Sequence, residues 1–431
     1  MTASRLARAR SVLADTRPLK VPAFRRLWLA DIVTVIGAQL TIVSVPTQIY
    51  AQTRDSSYVG LTGLFGLVPL IVFGLYGGSL ADAHDRRRIL MFTTTGLIVT
   101  SALFWGQAAV GGINVWLLLS LFAVQQIFFA LHQPALQSSL PRLLPPELLP
   151  AANSLLMTVA MAGGIAGPLV AGTLIPVLGF SWMYAADTLC LLATMWAVVN
   201  LPAMRPLGEV TVAGFTSVVD GLRYLSRHPV LMASFVVDLA AMIFGMPRAE
   251  FPQIAHESFG GPSEGGFAFA WLFAAIPVGA VLGGVFSGWV SRVQRHGVAV
   301  LAAVAVWGGA VVVFGGAVAL ANGRLDILFW IAFGALVVGG AADMVSAAFR
   351  TSMLQTAATD AVRGRLQGVF LVVVAGGPRI ADVVHGAGAE AFGAGRAAWI
   401  GGVLVLVSVV AIAVLVPSFR RYRLSTEAAK S

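Results

Sequence analysis

The chain has 431 residues, 58% of them hydrophobic and only 11% charged, with a mean hydropathy of +0.86. Soluble domains carry about 25% charged residues, so this composition excludes an ordinary soluble enzyme or binding module. The net charge of +9 needs no nucleic acid to explain it, because membrane proteins gather basic residues on their cytoplasmic edges.

Cys190 is the single cysteine, so neither an internal disulfide nor a cysteine-based metal site is available. Lys20 and Lys430 are the only lysines. A G-x-x-x-x-G-K-[ST] phosphate loop therefore cannot be built, and ATP hydrolysis by that route is excluded. No cofactor or metal is expected; uphill movement would draw on an ion gradient or on a separate ATPase subunit.

Residues 1–24 read as a basic cytoplasmic N-terminus, with Arg5, Arg8, Arg10, Arg17 and Lys20. The apolar run that follows, Leu27 to Tyr50, is too long for the core of a signal peptide and lacks a small-residue cleavage site, so it reads as a retained first span. A helix needs about 20 apolar residues to cross a bilayer. On that basis twelve spans are predicted near 25–50, 58–81, 88–110, 115–135, 152–175, 181–201, 230–249, 265–290, 297–321, 326–348, 366–387 and 397–417. With both termini inside, 23 of the 28 Lys and Arg fall on the cytoplasmic side, four outside (Arg54, Arg248, Arg324, Arg396) and Arg379 within a span. The positive-inside rule supports this multi-pass arrangement in the cell membrane.

Between spans 2 and 3 lies a charged hairpin, Gly77-Gly78-Ser79-Leu80-Ala81-Asp82-Ala83-His84-Asp85-Arg86-Arg87-Arg88. Its arginines favour the cytoplasm, and its glycines permit close approach just before the turn. The connection 202–229 divides six spans (25–201) from six (230–417), with a tail at 418–431. Within it Val212, Phe215, Val218, Leu222 and Leu225 recur at helical spacing, which predicts an amphipathic helix on the membrane surface. The halves echo one another: Leu136-Gln137 resembles Leu354-Gln355, and Gly167-Pro168 resembles Gly377-Pro378. Two similar six-helix halves are a transporter architecture with the path between them.

The hairpin resembles the loop 2–3 signature of the major facilitator superfamily. Gly78, Leu80, Ala81, Asp82, Arg86 and Arg87 match, whereas Ala83 and Asp85 stand where a basic residue and a glycine are usual. Span 5 carries Gly163-x-x-x-Gly167-Pro168-x-x-Ala171-Gly172, which resembles the signature of proton antiporters in that superfamily. Pro22-Ala23-Phe24-Arg25, Ala274-Ala275-Ile276-Pro277-Val278-Gly279-Ala280 and Met353-Leu354-Gln355 with Gly364-Arg365 and Gly368 resemble the enterobactin exporter group. The resemblance implies an all-α polytopic membrane protein of twelve transmembrane helices in two pseudo-symmetric six-helix bundles. It implies proton-coupled export of a siderophore or another amphipathic small molecule, with protons and the bilayer as the other partners. It also implies a cytoplasmic latch built on Asp82, Arg86 and Arg87. Simple topology, with arginines fixing orientation, is the alternative there.

Ionisable residues at depth cost on the order of 2.5–3.5 kcal/mol on insertion scales, so each needs a reason. The superfamily resemblance places spans 1, 4, 7 and 10 around the cavity, where Asp31, Asp238 and Asp343 could face water and carry protons. A helix–helix hydrogen bond or fixed ion pair is the alternative for each, and the favoured reading for Asp187 on span 6. Arg379, Asp382 and His385 follow at i, i+3 and i+6 on span 11. Arg379 and Asp382 would form either a switchable pair, with Asp382 titrating, or a permanent one; His385 reads as a solvent-edge residue. Gln39, Gln48, Gln125 and Gln126, with His132, are candidates to line the cavity and bind substrate, and Phe128, Phe129, Trp271 and Phe273 to supply its apolar wall. Broad multidrug efflux, a non-transporting membrane sensor or scaffold, and uptake by symport are the competing readings. The span 5 signature argues against uptake. An enzyme is not expected, and a monomer suffices.

Overall fold

A computed structural model of the chain describes residues 15–204, 222–357 and 360–423. Local stop and start signals set the helix ends more sharply than hydropathy does. Helix α1, Pro22–Thr53, starts on a proline, whose missing N–H costs nothing in a first turn, and stops where Arg54 turns left-handed at φ 56°. Helix α2, Ser56–Ala83, follows directly, capped by Asp55, which accepts from the Ser57 N–H at 2.7 Å. Helix α3, Arg86–Ala109, is capped by Asp85, and α4, Val115–Leu143, by Asn114.

The run Leu149–Val199 is 51 residues long, too long for one crossing at 1.5 Å per residue. It turns at Gly179, whose φ of 79° suits a residue without a Cβ, and its two arms are α5 and α6. The second half comprises α7 (Pro229–Gly245), α8 (Phe267–Val285), α9 (His296–Leu320), α10 (Ile327–Ala357), α11 (Asp360–Phe392) and α12 (Ala394–Leu415). Between α7 and α8 the chain makes a 3-10 turn at Arg248–Glu250, a helical turn at Phe251–Gln253 and a π-helical turn at Ile254–Ser258.

Among the described residues, ten helices are long and apolar enough to cross a membrane. One of these is the bent α5–α6 run, and α11 packs against α2, α7 and α12 as a further rod, which completes twelve. The packing repeats between halves: α2 on α4 matches α8 on α10, α3 on α4 and α6 matches α9 on α10 and α12. The bundles meet through α2 on α11 and through α5 on α8, two pairs that the same pseudo-twofold exchanges. Large apolar side chains such as Trp105, Trp182, Leu189 and Val407 stay exposed on the outer wall, where lipid covers them.

Several ends differ from the hydropathy reading. Helix α10 continues to Ala357 rather than stopping near 348, because polar residues do not break a helix that stays packed. Helix α7 stops at Gly245 instead of 249, and α8 gives way at Val285 to a short 3-10 turn over Ser287–Arg292. Of the predicted surface helix, Val212, Phe215 and Val218 lie outside the described residues. Leu225 is buried against Leu231 and Leu354 rather than facing lipid.

Candidate transport site

Helices α1, α4, α5 and α6 enclose a cavity of about 310 Å³ that extends from Arg379, near the middle of α11, to their cytoplasmic ends at Phe24, Leu140, Leu156 and Val198. Its wall is mostly apolar. Asp31, Gln125, Gln126, His132 and Arg379, five of the residues singled out in the sequence, meet there, joined by Thr34 and Gln133. Among the described residues, Arg379 is the only lining residue from the C-terminal bundle.

Among the described residues, Asp31 makes no hydrogen bond or ion pair. Asp238, at the matching depth of α7, is in the opposite situation. It is 2% exposed and forms an ion pair with Arg350 of α10. The same guanidinium lies 3.9 Å from Asp343 and 3.2 Å from the Ser346 hydroxyl. A count by topology places Arg350 with the cytoplasmic arginines. The extended α10 instead carries it into the bundle at 7% exposure, against Asp238. Asp343 itself keeps 39% of its side-chain surface exposed.

Arg379 is not paired with Asp382, contrary to the i, i+3 expectation. It donates to Gln126 Oε1 at 3.0 Å across the bundle interface and sits 5.2 Å from the centroid of the Phe122 ring. Space for it comes from Gly66 of α2, where a Cβ would stand 2.9 Å from the guanidinium carbon. Asp382 turns outward and accepts from Arg248 at 3.4 Å. His385 is 3% exposed, not at a solvent edge, and contacts Glu250.

The remaining candidates scatter. Gln39 packs on Gly167, and Gln48 is 3% exposed and bonded to Gln107 and to the Tyr184 hydroxyl. Neither lines the cavity. His132 Nδ1 lies 2.9 Å from the Thr93 hydroxyl. Phe129 lines the cavity; Phe128 packs on Phe92. Phe273 lines a smaller void of about 130 Å³ on the outer side of Arg379, whereas Trp271 meets Trp330 and Phe333 edge-on. Asp187 accepts from Thr41 at 2.6 Å and Ser101 at 2.9 Å, a helix–helix tie of the expected kind, although its wall position also touches the cavity.

The antiporter-like stretch is a packing device. Gly163 and Gly167 admit Val35 and Gln39 of α1, Pro168 and Gly172 are buried, and a Cβ on Gly172 would stand 2.6 Å from that of Ala270 on α8. In the charged hairpin, the Asp82 side chain and the surroundings of Gly78 lie outside what the structure describes. Arg86 donates to Ser138 at 3.0 Å, Arg87 to the Val199 carbonyl at 2.6 Å. Asp85 accepts from Arg87 N at 3.0 Å and Met204 N at 3.1 Å, so the residue that replaces the usual glycine ties α3 to the chain after α6.

The outer face is closed. Tyr50 donates to Glu257 at 2.7 Å, Arg54 to His256 at 2.7 Å, Ser56 to Gln253 at 2.7 Å, and the Gly266 N–H to the Gly172 carbonyl at 2.7 Å, all from one bundle to the other. Closed outside and hollow toward the cytoplasm, the protein is in an inward-facing arrangement.

A family profile described as a transmembrane secretion effector matches residues 13–428. The enterobactin exporter EntS of Shigella boydii serotype 18 is 26% identical over 416 residues, covering 93% of this chain and 94% of that protein. Its counterpart in Escherichia coli O1:K1 is 26% identical over 414 residues with the same coverage. Among solved structures, a bacterial homologue of the iron transporter ferroportin in an inward-facing state superposes with a TM-score of 0.68 at 14% identity, covering 93% of this chain and 98% of that one. A nucleoside transporter, NupG, superposes with a TM-score of 0.72 at 11% identity, covering 91% and 100%. At these identities the solved structures bear on the fold alone.

Proposed function

The chain belongs to the transmembrane secretion effector family of the major facilitator superfamily, and from that premise we propose that it is a proton-coupled exporter of an acidic amphipathic small molecule, of the siderophore class. The relatives that export enterobactin support the substrate class. One observation carries the energy coupling: of two acids at matching depth in equivalent helices, Asp238 is held by Arg350, and Asp31 faces the cavity without a partner among the described residues. A carboxyl in an apolar, cytoplasm-connected cavity exchanges a proton as its surroundings change. A clamped one gives up its proton permanently.

Arg379 supplies the other half of the chemistry. It is a cation at the deep end of the cavity, farthest from the cytoplasm, whose hydrogen bond goes to a neutral amide and whose flat face meets a ring. An anionic or catecholate head group on the substrate offers it the charge it lacks, with the apolar wall taking the rest of the molecule. Asp31 then binds a proton when the substrate has left, and substrate returns when the proton has gone. No cofactor takes part, and one chain holds the whole site.

The test uses purified protein in liposomes with an imposed proton gradient. Enterobactin and a permanently cationic dye are offered to separate batches. Asp31→Asn is expected to abolish gradient-driven flux while preserving substrate exchange at zero gradient. Arg379→Gln is expected to lose enterobactin flux by at least tenfold. Normal gradient-driven transport by Asp31→Asn overturns the assignment of the proton. Movement of the dye with no enterobactin flux favours the multidrug reading.

A further inference from the structure

Behind the outer void, Glu250 and His385 form a buried pair that no part of the cavity chemistry uses. Glu250 is 0% and His385 3% exposed. His385 Nε2 lies 3.0 Å from the carbonyl oxygen of Phe244. A carbonyl only accepts, so Nε2 carries a hydrogen. His385 Nδ1 lies 2.9 Å from Glu250 Oε1. With Nε2 protonated, Nδ1 is either a bare lone pair or a second N–H. A lone pair facing a carboxylate would repel it, so the contact exists only with a proton between the two atoms, on the carboxyl or on the ring. Among the described residues, Glu250 Oε2 has no hydrogen-bond partner. The contact therefore holds one dissociable proton between two buried side chains.

The surroundings tie that proton to the outer face. Glu250 ends the 3-10 turn Arg248–Glu250, which packs on both α2 and α11. Helix α11 grips this turn twice, through Asp382 to Arg248 and, one helical turn later, through His385 to Glu250. The turn leads directly into Gln253, His256 and Glu257, the residues that reach the N-terminal bundle and close the outer face. The charged groups near the pair are Asp382, Arg248 and, beyond Asp382, Arg379. Helix α7 presents the Phe244 carbonyl, α12 presents Gly401, and α2 presents Gly60 and Gly63 to α11, none of which titrates.

We propose that Glu250 and His385 form a second proton-binding site, separate from Asp31, whose occupied form latches the outer face shut. Loss of the proton leaves a carboxylate against an imidazole lone pair in a dry pocket, and the 3-10 turn is released from α11. The proton leaves as such; no bond other than those to hydrogen changes. The inference rests on the alternating-access reading above, but concerns the gate and not the cargo.

Spin labels at Val110→Cys and Leu325→Cys, exposed positions in outer loops of opposite bundles, report the outer separation in a Cys190→Ala background. In wild type, mildly acidic buffer should give the short distance, and mildly alkaline buffer should populate a longer one, with a single-proton midpoint. In Glu250→Gln the amide N–H donates to His385 Nδ1 without a proton to lose, so the short distance should persist throughout. In His385→Gln the side-chain amide donates to the Glu250 carboxylate at any pH, so the transition should again vanish. A wild-type pH transition in either variant overturns the proposal, and His385→Gln decides if Glu250→Gln fails to reach the membrane. Asp31→Asn should lose gradient-driven flux yet keep the outer transition. A transition that follows Glu250 in a protein moving none of the offered substrates would sink the export reading and leave the latch standing.

Discussion

Asp31 and Asp238 look alike in the sequence: each is an acid inside an apolar run at a similar distance from the cytoplasmic edge. What separates them is Arg350, which a count by topology assigns to a loop and which the extended α10 carries into the bundle. Removal of a partner from a buried pair leaves an uncompensated charge and costs about 3–5 kcal/mol. Arg350→Ala should therefore lower the melting temperature in detergent by many degrees, and Asp31→Asn should leave it unchanged. Restoration of an apolar contact in the double variant Asp238→Leu with Arg350→Met should recover most of the loss, since a well-packed apolar pair does as well as a buried ionic one. A double variant as unstable as Arg350→Ala would mean that the ion pair does more than neutralise. Glu250 escaped the sequence reading for a related reason. It stands one residue beyond the expected end of its span, and its meaning depends on His385, 135 residues away, which no spacing rule connects to it.

At the scale of helices, the span 5 motif was legible as a motif, but its partners were not. Its glycines face in two directions. Gly163 and Gly167 seat α1 within the N-terminal bundle, while Gly172 meets α8 across the interface. Substitution should separate these roles. Gly167→Val drives a side chain into Gln39 and should destabilise the bundle itself, read as a lower melting temperature and poor recovery from membranes. Gly172→Val meets Ala270, and the strain is relieved when the bundles part on the outer side. That variant should melt near wild type but show faster labelling of an outer-face cysteine. Equal melting losses for both would remove the distinction. The spacing Gly60-x-x-Gly63-x-x-Gly66 on α2 is a packing signal as well: it seats α11 at Asp382 and makes room for the Arg379 guanidinium.

For the whole molecule, hydropathy, arginine placement and the weak echo between halves made the twelve rods and their two bundles legible. The conformational state was not, because it depends on contacts between residues more than 90 positions apart. The outer face is held by a short row of polar ties: Tyr50 to Glu257, Arg54 to His256, Ser56 to Gln253. None of these residues is apolar enough to hold the bundles together irreversibly, and that suits a surface that must reopen in each cycle. A hydrogen bond to a charged group contributes roughly 1.5–3 kcal/mol net, so loss of the Tyr50 bond to the Glu257 carboxylate should raise the outward-open population roughly ten- to a hundredfold. Tyr50→Phe removes the hydroxyl and keeps the ring, which isolates that bond from the packing of Tyr50 in the outer core. The variant should increase labelling of an outer-cavity cysteine by that factor and leave the inner cavity less accessible in proportion, as two alternating faces require. An increase on the outside without a matching decrease on the inside would mean that the two faces open independently, and a protein whose faces do so would leak protons and could not drive export.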